Sequence, residues 1–153
     1  MTLRDATSDD VELLIKLRLD FISMMEGELS DDTKQKLKLQ LSTYYHKHLS
    51  SNKFIATLAE DNGQVIATAF MVIGEIPAGA SFITGITGTI LNVMTYPEYR
   101  KRGCATMLIE ALIQKGKTMN ISAIDLFATE SGKGVYQNLG FASIHNMAMR
   151  LKL

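Results

Sequence analysis

Ile90-Leu91-Asn92-Val93-Met94-Thr95-Tyr96-Pro97-Glu98-Tyr99-Arg100-Lys101-Arg102-Gly103-Cys104-Ala105 decides how this chain is read. An apolar, strand-like stretch passes through a Pro97 turn into a basic, glycine-containing segment. An amphipathic run over 106–117 follows. A strand, a tight basic turn and a helix together make an anion site. The first backbone N–H groups of a helix have no helical acceptors, and the positive end of the helix dipole favours negative charge. Gly103 stands where a side chain would obstruct an approaching anion, and Ala105 is small for the same reason. Arg100, Lys101 and Arg102 add positive charge around the turn. The bland alternative is a solvated basic loop eased by Gly103. The spacing is neither the dinucleotide fingerprint GxGxxG nor the triphosphate loop GxxxxGK[ST]. Another pyrophosphate-bearing ligand fits it better.

The rest of the chain supplies the setting. Its 153 residues are enough for one domain with a substantial core, and the hydrophobic fraction is 46%. Sixteen Lys and Arg balance sixteen Asp and Glu, so no global field draws in nucleic acid or an anionic membrane. The start lacks an apolar signal-like segment, and no apolar run has the length of a membrane span. Cys104 is the sole cysteine, which excludes an intrachain disulfide. A cytoplasmic location is the simplest expectation.

Periodicity orders the elements. A short strand around Leu3 precedes a helix that starts at Thr7 or Ser8 and runs to about Met24. A second helix restarts at Ser30-Asp31-Asp32 and ends near Leu49. A strand over 54–59 turns through Asp61-Asn62-Gly63 into a long partner over 65–73. Another strand is expected within 87–95, then the helix after Gly103, a strand over 123–129, a short helix over 132–139 and a final strand over 142–149. The pattern β-α-α-β-β-β-α-β-α-β predicts a mixed α/β layer structure with a strand–helix–strand crossover in its second half.

The segment 90–105 resembles the acetyl-coenzyme A motif of the GCN5-related N-acetyltransferase (GNAT) family, whose Arg/Gln-x-x-Gly-x-Gly/Ala pattern fits Arg100, Gly103 and Ala105. Gly134-Val135-Tyr136-Gln137-Asn138-Leu139-Gly140-Phe141 resembles a second motif of that family, in the expected order. The resemblance extends over nearly the whole chain and is weakest in the first helical region and at 77–85. It implies a mostly antiparallel central sheet flanked by helices, and acetyl transfer from acetyl-CoA to a primary amine without a metal. It also implies that backbone amides at Arg102, Gly103, Cys104 and Ala105, with Thr106 nearby, hold the pyrophosphate. The main chain of Val93, Met94 and Thr95 would hold the pantetheine arm, with Asn138 a further contact.

Tyr136 matches the family tyrosine near the coenzyme A sulfur and is the candidate general acid; simple ring packing beside Leu139 and Phe141 is its alternative. Glu28, Glu75 and His145 are candidates for the base, with a water chain as the other route. His46 and His48 stand two apart on a predicted helix and face different ways, so they make no convincing metal site. Cys104 lacks a nearby base and is expected to pack rather than attack. The acceptor is expected to be a small-molecule amine rather than a protein. A noncatalytic acyl-CoA sensor is the competing reading, and the final strand is a candidate homodimer surface.

Overall fold

The computed structural model describes residues 1–145 and 148–153. Strand β1 (Thr2–Asp5) leads through a 3₁₀ turn, Ser8–Asp10, into helix α1 (Val11–Glu26). A capping box fixes this entry. The Thr7 hydroxyl accepts from the Asp9 N–H, and the Asp10 carboxylate accepts from the Thr7 N–H at 2.8 Å. Arg4 grips the same carboxylate through two bonds of 2.8 and 2.9 Å, and its Nε reaches Glu60 at 2.7 Å. The Arg4 guanidinium holds the Asp10 carboxyl below the usual carboxylate range.

Asp10→Asn should therefore destabilise the fold by about 1–2 kcal/mol, near the value of a cap plus a partly solvated charged hydrogen bond. A depressed carboxyl stabilises above its unfolded value, and that contribution is lost as pH falls through the folded value. Thermal melts at neutral pH should separate variant from parent, and the gap should close in strong acid. A gap that persists there would exclude the ionised pair as its cause.

Gly27, at φ +90°, ends α1. Ser30 caps helix α2 (Asp31–His48), its hydroxyl accepting from the Thr33 N–H at 3.2 Å. Strands β2 (Phe54–Asp61) and β3 (Gln64–Glu75) are joined at Asn62 and Gly63, both left-handed, as a tight right-twisted hairpin requires. Strand β4 (Ile86–Thr95), helix α3 (Cys104–Thr118), strand β5 (Ala123–Leu126) and helix α4 (Lys133–Asn138) complete the order. The sheet runs β1-β2-β3-β4-β5. All neighbours are antiparallel except β4 and β5, which are parallel across the α3 connection.

Alternation along β3 builds two cores. Ala67, Ala69, Met71 and Ile73 join Leu108, Ile109 and Leu112 of α3 on one face. Phe70 and Val72 join Leu14, Leu17 and Tyr45 of the helical pair on the other. Gly88 sits where a Cβ would come within 2.8 Å of the Met71 sulfur, so the side chains of Met71 on β3 and Ile124 on β5 close over β4 at this point.

Two expected strands change. The strand over 123–129 ends at Leu126; Phe127 is exposed, and the exposed Thr129 hydroxyl accepts from the Gly132 N–H at 3.2 Å in a local turn. Of the strand expected over 142–149, residues 142–145 and 148–149 are exposed and outside any strand, while Asn146 and Met147 lie outside the described residues. Strand β5, with 4 residues, is the edge of the sheet among the described residues.

Candidate active site

The parallel β4–β5 ladder ends at the pair Ile90–Leu126. Residues 91–95 of β4 continue past it, and among the described residues no strand pairs with that edge. Just beyond the last pair β4 bulges. Leu91 pairs with Phe70 and Met94 with Thr68, so Asn92 and Val93 together face a single residue of β3. Asn92 takes φ +56°, a left-handed conformation that asparagine tolerates better than most residues.

After the bulge, ladder alternation decides which backbone groups are open. The Tyr96 N–H donates to the Ile66 carbonyl at 3.1 Å, toward β3. Val93 and Thr95 therefore turn their N–H and C=O groups to the open edge, whereas Met94 turns its own toward Thr68. Of Val93, Met94 and Thr95, all expected to offer backbone to a ligand, Met94 is the one that the register sets toward β3. Met94 instead packs its buried side chain against the helical pair. The Thr95 carbonyl accepts from Arg100 Nε at 3.2 Å.

The basic turn then closes over two left-handed residues, Lys101 at φ +61° and Gly103 at φ +78°. Gly103 is the residue before α3 and supplies no side-chain cap, and the first turn of the helix carries no acidic residue. The Met107 N–H is bonded to the Gly103 carbonyl at 3.1 Å. The N–H groups of Cys104, Ala105 and Thr106 precede it and have no helical acceptors. A Cβ placed on Gly103 would meet nothing within 4 Å. Glycine is thus demanded by φ, and the space above it is open. Arg102 lies over the Tyr99 ring, 5.3 Å from its centroid, and donates to the Glu98 carbonyl at 3.2 Å. That leaves a positively charged rim around uncapped amides.

Cys104 is 2% exposed, and its thiol lies 3.6 Å from the Tyr99 carbonyl. It packs into the α3 core. Cys104→Ser should keep its main-chain contribution, retaining most acyl transfer in a free-thiol assay at a stability cost of about 1 kcal/mol. Loss of turnover with fold and donor affinity unchanged would overturn the packing role.

Tyr136 is half-buried on α4, against the same core as Val93. Its ring packs edge-on to Phe141, with centroids 6.0 Å apart, and the Phe141 N–H donates to its carbonyl at 3.0 Å. Burial pushes the phenol above its ordinary value of about 10. Asn138 is exposed at the end of α4. The three base candidates are dispersed. Glu28 is exposed between the first two helices with Lys34 at 3.9 Å, Glu75 is exposed at the end of β3, and His145 is exposed beyond α4. His46 uses Nδ1 on the Ser42 carbonyl at 2.8 Å, and His48 lies against the Tyr44 ring. Among the described residues no three His, Cys, Asp or Glu side chains gather as a metal site would require.

Arg18, which the sequence pattern did not single out, meets β4 at this bulge. It projects from α1 to the bulge, where its Nη1 donates to Asn92 Oδ1 at 3.2 Å. The available signal was an asparagine interrupting an otherwise apolar strand directly before the basic turn.

A family model described as the acetyltransferase (GNAT) family matches residues 21–141, which span this bulge, turn and tyrosine. The chain belongs to that family. Its sheet and flanking helices match a predicted acetyltransferase from Clostridium acetobutylicum, crystallised with acetyl-CoA, at TM-score 0.86 and 29% identity over 98% of this chain and 95% of that one. A GCN5-related N-acetyltransferase from Ralstonia eutropha matches at TM-score 0.82 and 22% identity, over 98% of this chain and 97% of its own. An aminoglycoside acetyltransferase from an uncultured soil sample shares the fold at TM-score 0.74 and 19% identity, over 99% of this chain and 100% of its own. No curated protein shows a significant sequence match. Membership places the chain in an enzyme family with a mixed α/β, mostly antiparallel GNAT fold.

Proposed function

We propose that this protein is an N-acetyltransferase that moves an acetyl group from acetyl-CoA to a primary amine of a small molecule. The observation that carries this reading is the uncapped start of α3 beside the open edge of β4. The fit to acetyl-CoA is specific in two respects. The open, left-handed Gly103 with three amides lacking helical acceptors suits a diphosphate. The outward N–H and C=O groups of Val93 and the N–H of Thr95 suit an extended amide-bearing arm lying beside the strand, with the Thr95 carbonyl held by Arg100. Bound there, acetyl-CoA supplies an activated thioester.

The protein's own residues then hold, orient and move protons. Arg100, Lys101 and Arg102 surround the phosphates with charge, and the amides from Arg102 to Thr106 bind them. Asn138 would meet the arm from α4. Direct attack by a neutral amine forms the C–N bond and breaks the C–S bond. The Tyr136 hydroxyl donates its proton to the departing sulfur, and the amine's proton leaves through water. A backbone N–H at the open edge stabilises the negative oxygen that develops.

Calorimetric titration with acetyl-CoA, followed by an amine panel read by free-thiol release, tests the reading. Binding and release with at least one amine are expected. Binding without release on a broad panel would replace the enzyme with a noncatalytic acyl-CoA sensor, and no binding would defeat both.

A further inference from the structure

Arg18 is a half-buried cation without an acidic partner among the described residues. Its guanidinium donates one bond, from Nη1 to Asn92 Oδ1, and lies 5.6 Å from the Phe21 ring centroid. Its charge also reaches Tyr45, on the neighbouring helix, where it partly offsets the upward push of burial on the phenol. The nearest carboxylate along α1, Asp20, is already engaged. Asp20 binds Lys16 at 2.5 Å and accepts from the Tyr96 hydroxyl. A guanidinium fixed by one neutral acceptor keeps its remaining donors for a further partner.

Asn92 holds Arg18 in place. Its side chain is 1% exposed, its Oδ1 faces Arg18, and its Nδ2 has no hydrogen-bond partner. A flip of the amide would satisfy neither group, because two donors would then oppose each other. The left-handed bulge therefore keeps a buried donor unsatisfied while its oxygen fixes the guanidinium. The position matters as much as the contact. Asn92 lies two residues past the last β4–β5 pair, at the mouth of the open edge. Arg18 reaches this point from α1.

Building on the acetyltransferase reading, we propose that Arg18 is the acceptor anchor, and that the acceptor is an amine that also carries a carboxylate. With Nη1 committed to Asn92, the Nε and Nη2 edge remains, two parallel donors matched to a planar two-oxygen carboxylate. A phosphate dianion would call for a second cation, but the nearby Lys16 is held by Asp20 and Tyr96. Asn92 is a positioning residue that acts through Arg18.

The test compares matched probes: 4-aminobutyrate and β-alanine against their amides, with phosphoethanolamine and ethanolamine as a third pair. Each is titrated calorimetrically into the coenzyme A-bound protein, so the readout does not depend on turnover, and KM is read for those that react. The wild type should prefer at least one carboxylate over its amide by roughly tenfold to a hundredfold. Arg18→Gln should erase that preference while leaving acetyl-CoA affinity and the melting temperature near wild type. Asn92→Asp keeps the left-handed residue type but gives Arg18 an internal carboxylate, and should erase the preference as well. A preference that survives Arg18→Gln, equal binding of acids and amides, or no binding by either carboxylate would overturn the proposal. Preference for phosphoethanolamine would overturn the carboxylate assignment. Failure of acetyl-CoA to bind, measured separately, would count against the acyl-transfer reading and not against the anchor.

Discussion

Gly103→Asp should reduce acetyl-CoA affinity at least a hundredfold while leaving the protein folded. The two halves of this result have separate causes. Gly103 holds φ +78° and nothing lies within 4 Å of where its Cβ would be. Aspartate is among the residues that tolerate the left-handed region, at a strain of about 1–2 kcal/mol. A carboxylate at the start of α3 recovers about 0.3–1 kcal/mol from the helix dipole. The net change in stability is therefore small, and the melting temperature should move by a few degrees at most. Binding responds differently. The new carboxylate fills the open space and sets a negative charge against a diphosphate in the site that the uncapped amides create. Losing even two hydrogen bonds to a charged group costs about 3–6 kcal/mol, more than a hundredfold in affinity. Gly103→Asn separates charge from bulk, since it carries nearly the same shape without the charge, and its loss should be smaller. Calorimetry with each variant, beside a thermal melt, checks both halves. Tight binding by a folded Gly103→Asp protein would remove the turn from the phosphate role.

The turn was legible because its signals are local. A glycine before a helix, neighbouring basic residues and a preceding apolar strand all lie within sixteen residues of sequence. The same holds for the Thr7 and Ser30 caps, where each side chain acts on backbone two or three residues away, and for the Asn62-Gly63 hairpin, where each residue acts through its own left-handed φ. Arg18 was not legible for the opposite reason. Its partner Asn92 is 74 residues distant, and the bulge that brings them together follows from the register of β3 against β4. Register also separates Met94 from Val93 and Thr95, because neighbouring residues of a strand direct their backbone groups to opposite edges. Of the strand expected over 142–149, the described residues stay outside the sheet. Its alternating apolar residues describe what the segment could do beside a partner, whereas the length of β5 is set by Phe127 and Thr129 leaving the sheet. Periodicity thus reports the preference of a segment, and the neighbouring edge decides whether that preference is used.

Tyr136→Phe should lower kcat about a hundredfold and leave acetyl-CoA affinity within about threefold of wild type. The ring is what α4 packs, edge-on to Phe141 at 72°, and a Cβ on Gly132 would come within 3.2 Å of it. Phenylalanine keeps that ring and deletes the hydroxyl alone. Because burial raises the Tyr136 phenol, the hydroxyl stays protonated through the neutral range and remains a donor. The magnitude follows from the mismatch between donor and leaving group. A free thiol titrates near 8.5, well below this phenol, so complete proton transfer from tyrosine to thiolate is uphill. The gain comes from partial transfer and a hydrogen bond in the transition state, which puts the loss at the lower end of the range for general-acid residues. The pH profile carries the sign. A general acid works in its protonated form, so the alkaline fall of wild-type kcat should begin only above the ordinary phenol value of about 10. The variant should lack that alkaline limb. Rapid-mixing measurements of the acyl-transfer step, with donor affinity measured in parallel, distinguish this from slower product release. An unchanged chemical step would return Tyr136 to a packing role. An equal fall in affinity and turnover would mean that the hydroxyl holds the donor in place and does not protonate the sulfur.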